Sequence, residues 1–190
     1  MPFKRAKPKE PLAEPALFEY AVKSLSARMR TERDLRRLLK PRAHPGDTRQ
    51  RDIDAVIRRL TDLKYLSDTR YAADYTRLRK ENQGFGRRRV QQDLAQKGIA
   101  KDTAAEALAT AYDDSDELAL ARAYIERKRI QKPKDQKESL RIMNRLLRAG
   151  YAPGPIFKLL RSWEIPEEAI PTEPGADSDS YAEPDEASEE

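Results

Sequence analysis

Apolar residues along this chain recur at intervals of three and four, the spacing of one helix face. No stretch alternates strictly over the length of a strand. The first stripe is Leu17, Tyr20, Ala21, Ser24 and Leu25, and the second is Leu35, Leu38 and Leu39 behind the capping-type sequence Thr31-Glu32-Arg33-Asp34. Ile53, Val56, Ile57, Leu60 and Leu63 form a third, and Tyr71, Ala72, Tyr75 and Leu78, opened by Ser67-Asp68, a fourth. Val90, Leu94 and Ile99 follow, then Ala104, Ala107, Leu108 and Ala111, then Leu118, Ala121 and Ile125 with Tyr124 beside them. Ile142, Met143, Leu146 and Leu147 make the eighth stripe, and Ile156, Leu159, Leu160 and Trp163 the ninth. The pattern predicts an all-α chain.

The stripes repeat in threes. Leu35 to Leu39 aligns with Val90 to Leu94 and with Ile142 to Leu146, and a small residue follows each second anchor by four positions, at Ala43, Gly98 and Gly150. The apolar pairs Ile53/Ile57, Ala104/Leu108 and Ile156/Leu160 come next. The first copy needs a longer turn, which His44-Pro45-Gly46-Asp47 supplies. The period is too long for tetratricopeptide or ankyrin repeats. We therefore expect three tandem three-helix repeats, over residues 16–66, 67–113 and 114–165, in an elongated, curved array. Each buries a small core and leans on its neighbour.

Charge changes the picture at the two ends. The chain holds 38 basic and 33 acidic residues, a net charge of +5. Eleven of the acidic residues, and no lysine or arginine, lie in 164–190. Residues 1–163 therefore carry +16. A Pro-, Asp- and Glu-rich stretch cannot bury enough apolar surface to offset its chain entropy, so 166–190 is expected as a disordered acidic tail. Residues 1–15, with Lys4, Arg5, Lys7, Lys9 and four prolines, are expected as a disordered basic arm.

Composition excludes several functions. There is no cysteine and a single histidine, His44, so disulfide scaffolds, thiolate metal sites and multi-histidine sites are out. Mean hydropathy is −0.91, and no run approaches the ~20 apolar residues of a membrane span. Met1-Pro2-Phe3-Lys4-Arg5 has no apolar h-region of a signal peptide, which points to the cytoplasm. No Walker, dinucleotide-binding or nucleophile-elbow sequence occurs. Gln83-Gly84-Phe85-Gly86-Arg87 lacks the third glycine and the preceding strand of a phosphate loop, and is read as a flexible connection. Asp113, Asp114, Asp116 and Glu117 are read as caps of the seventh helix rather than cation ligands. An enzyme, a metal and a cofactor are not expected.

Clustered cations carry the functional signal. Arg77, Arg79 and Lys80 end the fourth helix, Arg87, Arg88 and Arg89 open the fifth, and Lys97 closes it. Nine basic residues between 127 and 148 meet only Asp135 and Glu138, and Arg141, Arg145 and Arg148 share one helix face. Such clusters suit a polyanion, because neutralising phosphates releases condensed counterions. They are also what a solvated face looks like. Tyrosines 20, 71, 75, 112 and 124 suit base stacking, although their places within the helical stripes favour core packing. Arg88 to Leu108 has the outline of a helix-turn-helix, but base specificity does not follow from cations alone.

Three segments carry a family resemblance. Tyr65-Leu66-Ser67-Asp68-Thr69-Arg70-Tyr71-Ala72 resembles a Gly-Tyr-Leu-Asp-Asp-x-x-Phe-Ala signature, and Gly86 to Ile99 resembles Gly-x-x-x-Ile-x-x-x-Leu-x-x-Lys-Gly-Ile. Arg30-Thr31-Glu32-Arg33-Asp34-Leu35 is similar to a first-repeat Arg-Ser-x-x-Glu-Leu. In this order they resemble the RecX family of RecA regulators, over residues 16–163. Lys64, Ser67 and Asp34 depart from the pattern, standing where the family has Gly, Asp and Glu. The resemblance implies a non-enzymatic, cytoplasmic inhibitor that lies in the groove of the RecA–single-stranded DNA filament and blocks its extension or promotes its disassembly. It would thereby modulate DNA repair, recombination and the SOS response. The partner is then that filament, with direct DNA contact, and the protein is expected as a monomer. The alternative is a nucleic-acid-binding helical module that acts without RecA.

Overall fold

The computed structural model describes residues 10–163. Of the disordered arm expected over residues 1–15, residues 1–9 lie outside the described residues, as does the tail expected over 166–190; residues 10–15 are described, and Glu14 and Pro15 already belong to the first helix. Nine α-helices run in chain order among those described: α1 Glu14–Ala27, α2 Glu32–Leu39, α3 Thr48–Asp62, α4 Asp68–Leu78, α5 Arg87–Gln96, α6 Lys101–Tyr112, α7 Glu117–Arg127, α8 Gln136–Arg148 and α9 Pro153–Arg161. A π-helical turn, Arg79–Gln83, prolongs α4. No strand is present among the described residues beyond an isolated bridge between Leu12 and Ala43. Leu12 donates its N–H to the Arg42 carbonyl at 2.7 Å, so the chain is already held before α1 starts.

Local chemistry sets the helix starts. Thr31, Ser67, Asp116 and Asp135 each accept a backbone N–H of the first turn, at 3.1, 3.2, 2.9 and 2.7 Å. This satisfies amides that have no partner within the helix. Pro15 and Pro153 open α1 and α9, where a missing N–H costs nothing. Four helices end alike, with a left-handed residue followed by a bond back across the last turn. Tyr65 N–H reaches Leu60 O at 2.9 Å, Ile99 reaches Leu94 at 3.1 Å, Ile130 reaches Ile125 at 3.0 Å and Tyr151 reaches Leu146 at 3.1 Å. The left-handed residues are Gly98 and Gly150 in two cases, but Lys64 and Arg129 in the others.

The chain divides into two compact units, up to Ser115 and from Asp116. In the first, α3 packs on α1 and α2, and α6 packs on α4 and α5. Leu17, Leu35, Leu39, Val56 and Leu60 are fully buried in the core of the first three helices. Val90, Leu94, Leu108 and Tyr112 are buried among the next three. In the second unit, α9 packs on α7 and α8, burying Leu146, Tyr151, Ile156, Phe157 and Leu160. Two expected stripe residues fall outside the core. Leu63, just past the last turn of α3, and Leu78, where α4 widens into the π turn, are about half exposed.

Candidate polyanion-binding residues

The candidate cations of α4 to α6 separate into structural and free ones. Asp93 is buried on α5 and draws three donors: Tyr75 Oη at 3.0 Å, Arg89 Nε at 3.1 Å and Arg79 Nη2 at 3.5 Å. Arg79 lies over the Tyr75 ring, 4.7 Å from its centre, and bonds the Gln83 amide across the π turn. Phe85 lies beneath both arginines, with Arg79 5.5 Å and Arg89 5.7 Å from its ring centre. Burial, foremost, pushes the Tyr75 phenol above its ordinary value. Lys80 donates to Ala111 O and to Ser115 Oγ at 2.7 Å, so its charge sits at the negative C-terminal end of α6. Tyr112 donates to Phe85 O at 2.7 Å, and burial pushes its phenol up to about 12. The Gly84–Gly86 link expected to be flexible is thus pinned at Phe85, and Gly86 is buried.

Lys97 is likewise engaged, 3.3 Å from the Asp34 carboxylate. Arg77 is exposed but pairs with Asp74 at 3.6 Å and Glu81 at 3.2 Å, and Arg87 pairs with Asp113 at 2.6 Å. Arg88 is exposed and makes no ion pair or hydrogen bond among the described residues. Asp93 was the residue that sequence reasoning passed over. Its signal was an acid three positions after Val90 and next to Leu94, on the apolar stripe of a basic helix.

The second unit presents a simpler face. On α8, Ser139, Ile142, Met143 and Leu146 are buried. Arg141, Arg145 and Arg148 lie within about 60° of one another on the opposite side. All three are exposed, and none of their side chains has an ion pair or hydrogen bond among the described residues. Residues 116–163 hold twelve basic and five acidic residues, a net charge of +7. Two of the five acids are used as caps at Asp116 and Asp135, and Glu117 accepts the Ala152 N–H at 2.7 Å. The α8 arginines therefore have little internal competition for an external anion.

The three motif segments meet within the first unit. Thr31 is buried and donates to Lys97 O at 2.9 Å, while Asp68 Oδ1 accepts the Glu32 N–H at 2.9 Å, capping α2 from the start of α4. Burial raises the Asp68 carboxyl above its ordinary value of 3.8. Gly98, at φ +78°, lies against Arg33; a Cβ there would stand 2.4 Å from Arg33 Cδ and 2.9 Å from its Cβ.

A protein of Leptothrix cholodnii described as regulatory protein RecX is 33% identical over 141 residues, spanning 74% of this chain and 85% of that protein. The chain belongs to the RecX family. The family model described as the second three-helix domain of RecX matches residues 67–108, the span of α4, α5 and most of α6. A regulatory protein RecX of Escherichia coli is 32% identical over 142 residues, covering 71% of this chain and 84% of that one. The crystal structure of RecX from Lactobacillus salivarius shares the fold, with TM-score 0.61 at 22% identity, covering 79% of this chain and 96% of that chain. A second RecX crystal structure matches at TM-score 0.62, also at 22% identity, over 78% of this chain and 71% of that one. Among the described residues, no group of three or more His, Cys, Asp or Glu is placed to hold a metal ion, and no helix is long and apolar enough to cross a membrane.

Proposed function

We propose that this RecX-family protein restrains the RecA recombinase by binding along the groove of the RecA–single-stranded DNA filament, blocking its extension or promoting its disassembly. Repair, recombination and the SOS response are damped as a result. The observation that carries this reading is the row Arg141, Arg145 and Arg148, exposed, unpaired among the described residues and on one face of α8. Planar guanidiniums free of internal partners make charge-assisted bonds to phosphates or to acidic side chains at least cost. Arg88 adds a free cation on α5, and Arg77 and Arg87 can exchange their exposed partners for external anions. Arg79, Lys80, Arg89 and Lys97 act in the fold instead of at the contact. The protein works as a monomer in the cytoplasm, where the filament forms, and needs no cofactor or catalytic step.

The test is co-sedimentation with RecA–single-stranded DNA filaments over a salt series, beside a titration of bare labelled DNA. Filament binding tighter than bare-DNA binding, with loss of RecA ATPase, is expected. The same free arginines suit bare phosphates equally, which favours a second reading as a RecA-independent nucleic-acid module. Equal affinity for bare DNA and filament, with ATPase untouched, selects that reading.

A further inference from the structure

A concave pocket of about 550 Å³ lies in the first unit, where the end of α1 meets α2 and the α4 and α5 segments. Its rim is cationic: Arg28, Arg30, Arg37 and Lys97 surround a single carboxylate, Asp34. Asp34 is shared, with Oδ1 3.1 Å from Arg37 and Oδ2 3.3 Å from Lys97. Arg28 is exposed and has no ion pair or hydrogen bond among the described residues, and Arg30 is tied only through Nε, to Ser24 Oγ at 2.6 Å. Burial and then the neighbouring Arg28 charge lower the Arg30 pKa, against the raising pull of Asp34. The walls are apolar. Met29 is 51% exposed, and Leu38 and Pro41 stand opposite on α2 and its end.

We propose that this pocket binds an acidic peptide segment carrying one apolar anchor residue, the carboxylates taken by Arg28 and Arg30 and the anchor seated against Met29, Leu38 and Pro41. Two observations favour a peptide over a nucleic-acid strand. Asp34 stands among the cations as an acceptor; a peptide backbone brings N–H donors to meet it, whereas a phosphodiester backbone brings only further acceptors. The walls are flexible or aliphatic, and Tyr71, the one aromatic at the site, already stacks on Tyr75 at 5.6 Å. A base needs an open aromatic face, while an anchor side chain needs an adaptable apolar wall, which Met29 supplies. None of the α8 arginines takes part, so the proposal stands apart from filament binding through that helix.

The test uses the full chain and two short fluorescent peptides of alternating Asp and Glu, one with a central Phe and one with Gly in its place, followed by anisotropy. The Phe peptide is expected to bind about tenfold more tightly. Met29→Ser is expected to erase that advantage while leaving Gly-peptide binding unchanged, and Arg28→Glu to weaken both. Both positions are exposed, so the fold is retained, as circular dichroism will verify. Equal binding of the two peptides, or indifference of the Phe peptide to Met29→Ser, overturns the proposal. So does labelled oligothymidylate that binds more tightly than the Phe peptide and loses affinity in both variants, since the pocket then takes nucleic acid.

Discussion

Replacing Arg141, Arg145 and Arg148 together with alanine separates polyanion contact from stability. None of the three has a bond to lose among the described residues, and their face of α8 lies opposite its buried one. Arg145 and Arg148 sit in the last turn, where positive charge favours the helix dipole by about 0.3–0.5 kcal/mol each at an exposed site. The high helix propensity of alanine offsets part of that. The unfolding free energy should therefore move by less than about 1 kcal/mol. Binding responds differently. Each cation that neutralises a phosphate on a single strand contributes about 0.7 to the slope of log affinity against log salt, so the triple variant loses about 2 from that slope. Over a fourfold range of salt this is a relative affinity change of about 15-fold. The assay is anisotropy of labelled single-stranded DNA, bare and RecA-coated, at several salt concentrations, beside urea unfolding. Arg89→Ala is the opposite control. It removes a donor from buried Asp93 and should cost about 1–2 kcal/mol of stability, after allowance for the half-exposed arginine, with no change of slope. A wild-type slope in the triple variant refutes the assignment, and so does an equal slope loss in Arg89→Ala.

Other expectations follow from single positions. Gly98→Ala forces a left-handed alanine against Arg33 and should lower stability by about 2 kcal/mol, read from the urea midpoint. Tyr112, with its phenol raised to about 12, contributes stability that is present below its unfolded value of 10 and is lost as pH climbs through 10 to 12; Tyr112→Phe should flatten that alkaline loss and cost about 1 kcal/mol at neutral pH through the bond to Phe85 O, both followed by circular dichroism. Deleting residues 171–190 removes eight acidic residues that repel a polyanionic partner and should tighten filament binding at low salt, measured by co-sedimentation; unchanged affinity refutes that repulsion.

Periodicity made the helices legible because each buries a stripe against its neighbours, as Leu35 and Leu39 do in α2 and Leu146 does in α8. Thr31, Ser67 and Asp116 were readable as starts because capping is local chemistry. The π turn after Leu78 was not, since Arg79 to Gln83 has no composition that marks it. The cation clusters were visible, yet their division was hidden. Whether an arginine is free depends on which carboxylate the fold brings to it, and Asp93 serves Arg79 from 14 positions away. That Arg141, Arg145 and Arg148 share one face was legible because all three lie within one helix.

The bond from Glu32 N–H to Asp68 has a consequence for how this protein could be taken apart. The first amide of α2 is satisfied by a residue that belongs to the next set of three helices, and Thr31 in turn donates to the end of α5. A fragment cut at the loop before Ser67 would leave the Glu32 N–H and the Thr31 hydroxyl bonded to water in place of Asp68 and Lys97 O. Each of the two bonds is worth about 1 kcal/mol, so a first triplet released from the second should melt lower, and a swap for a homologous triplet should keep its stability best when both halves of this clasp travel together.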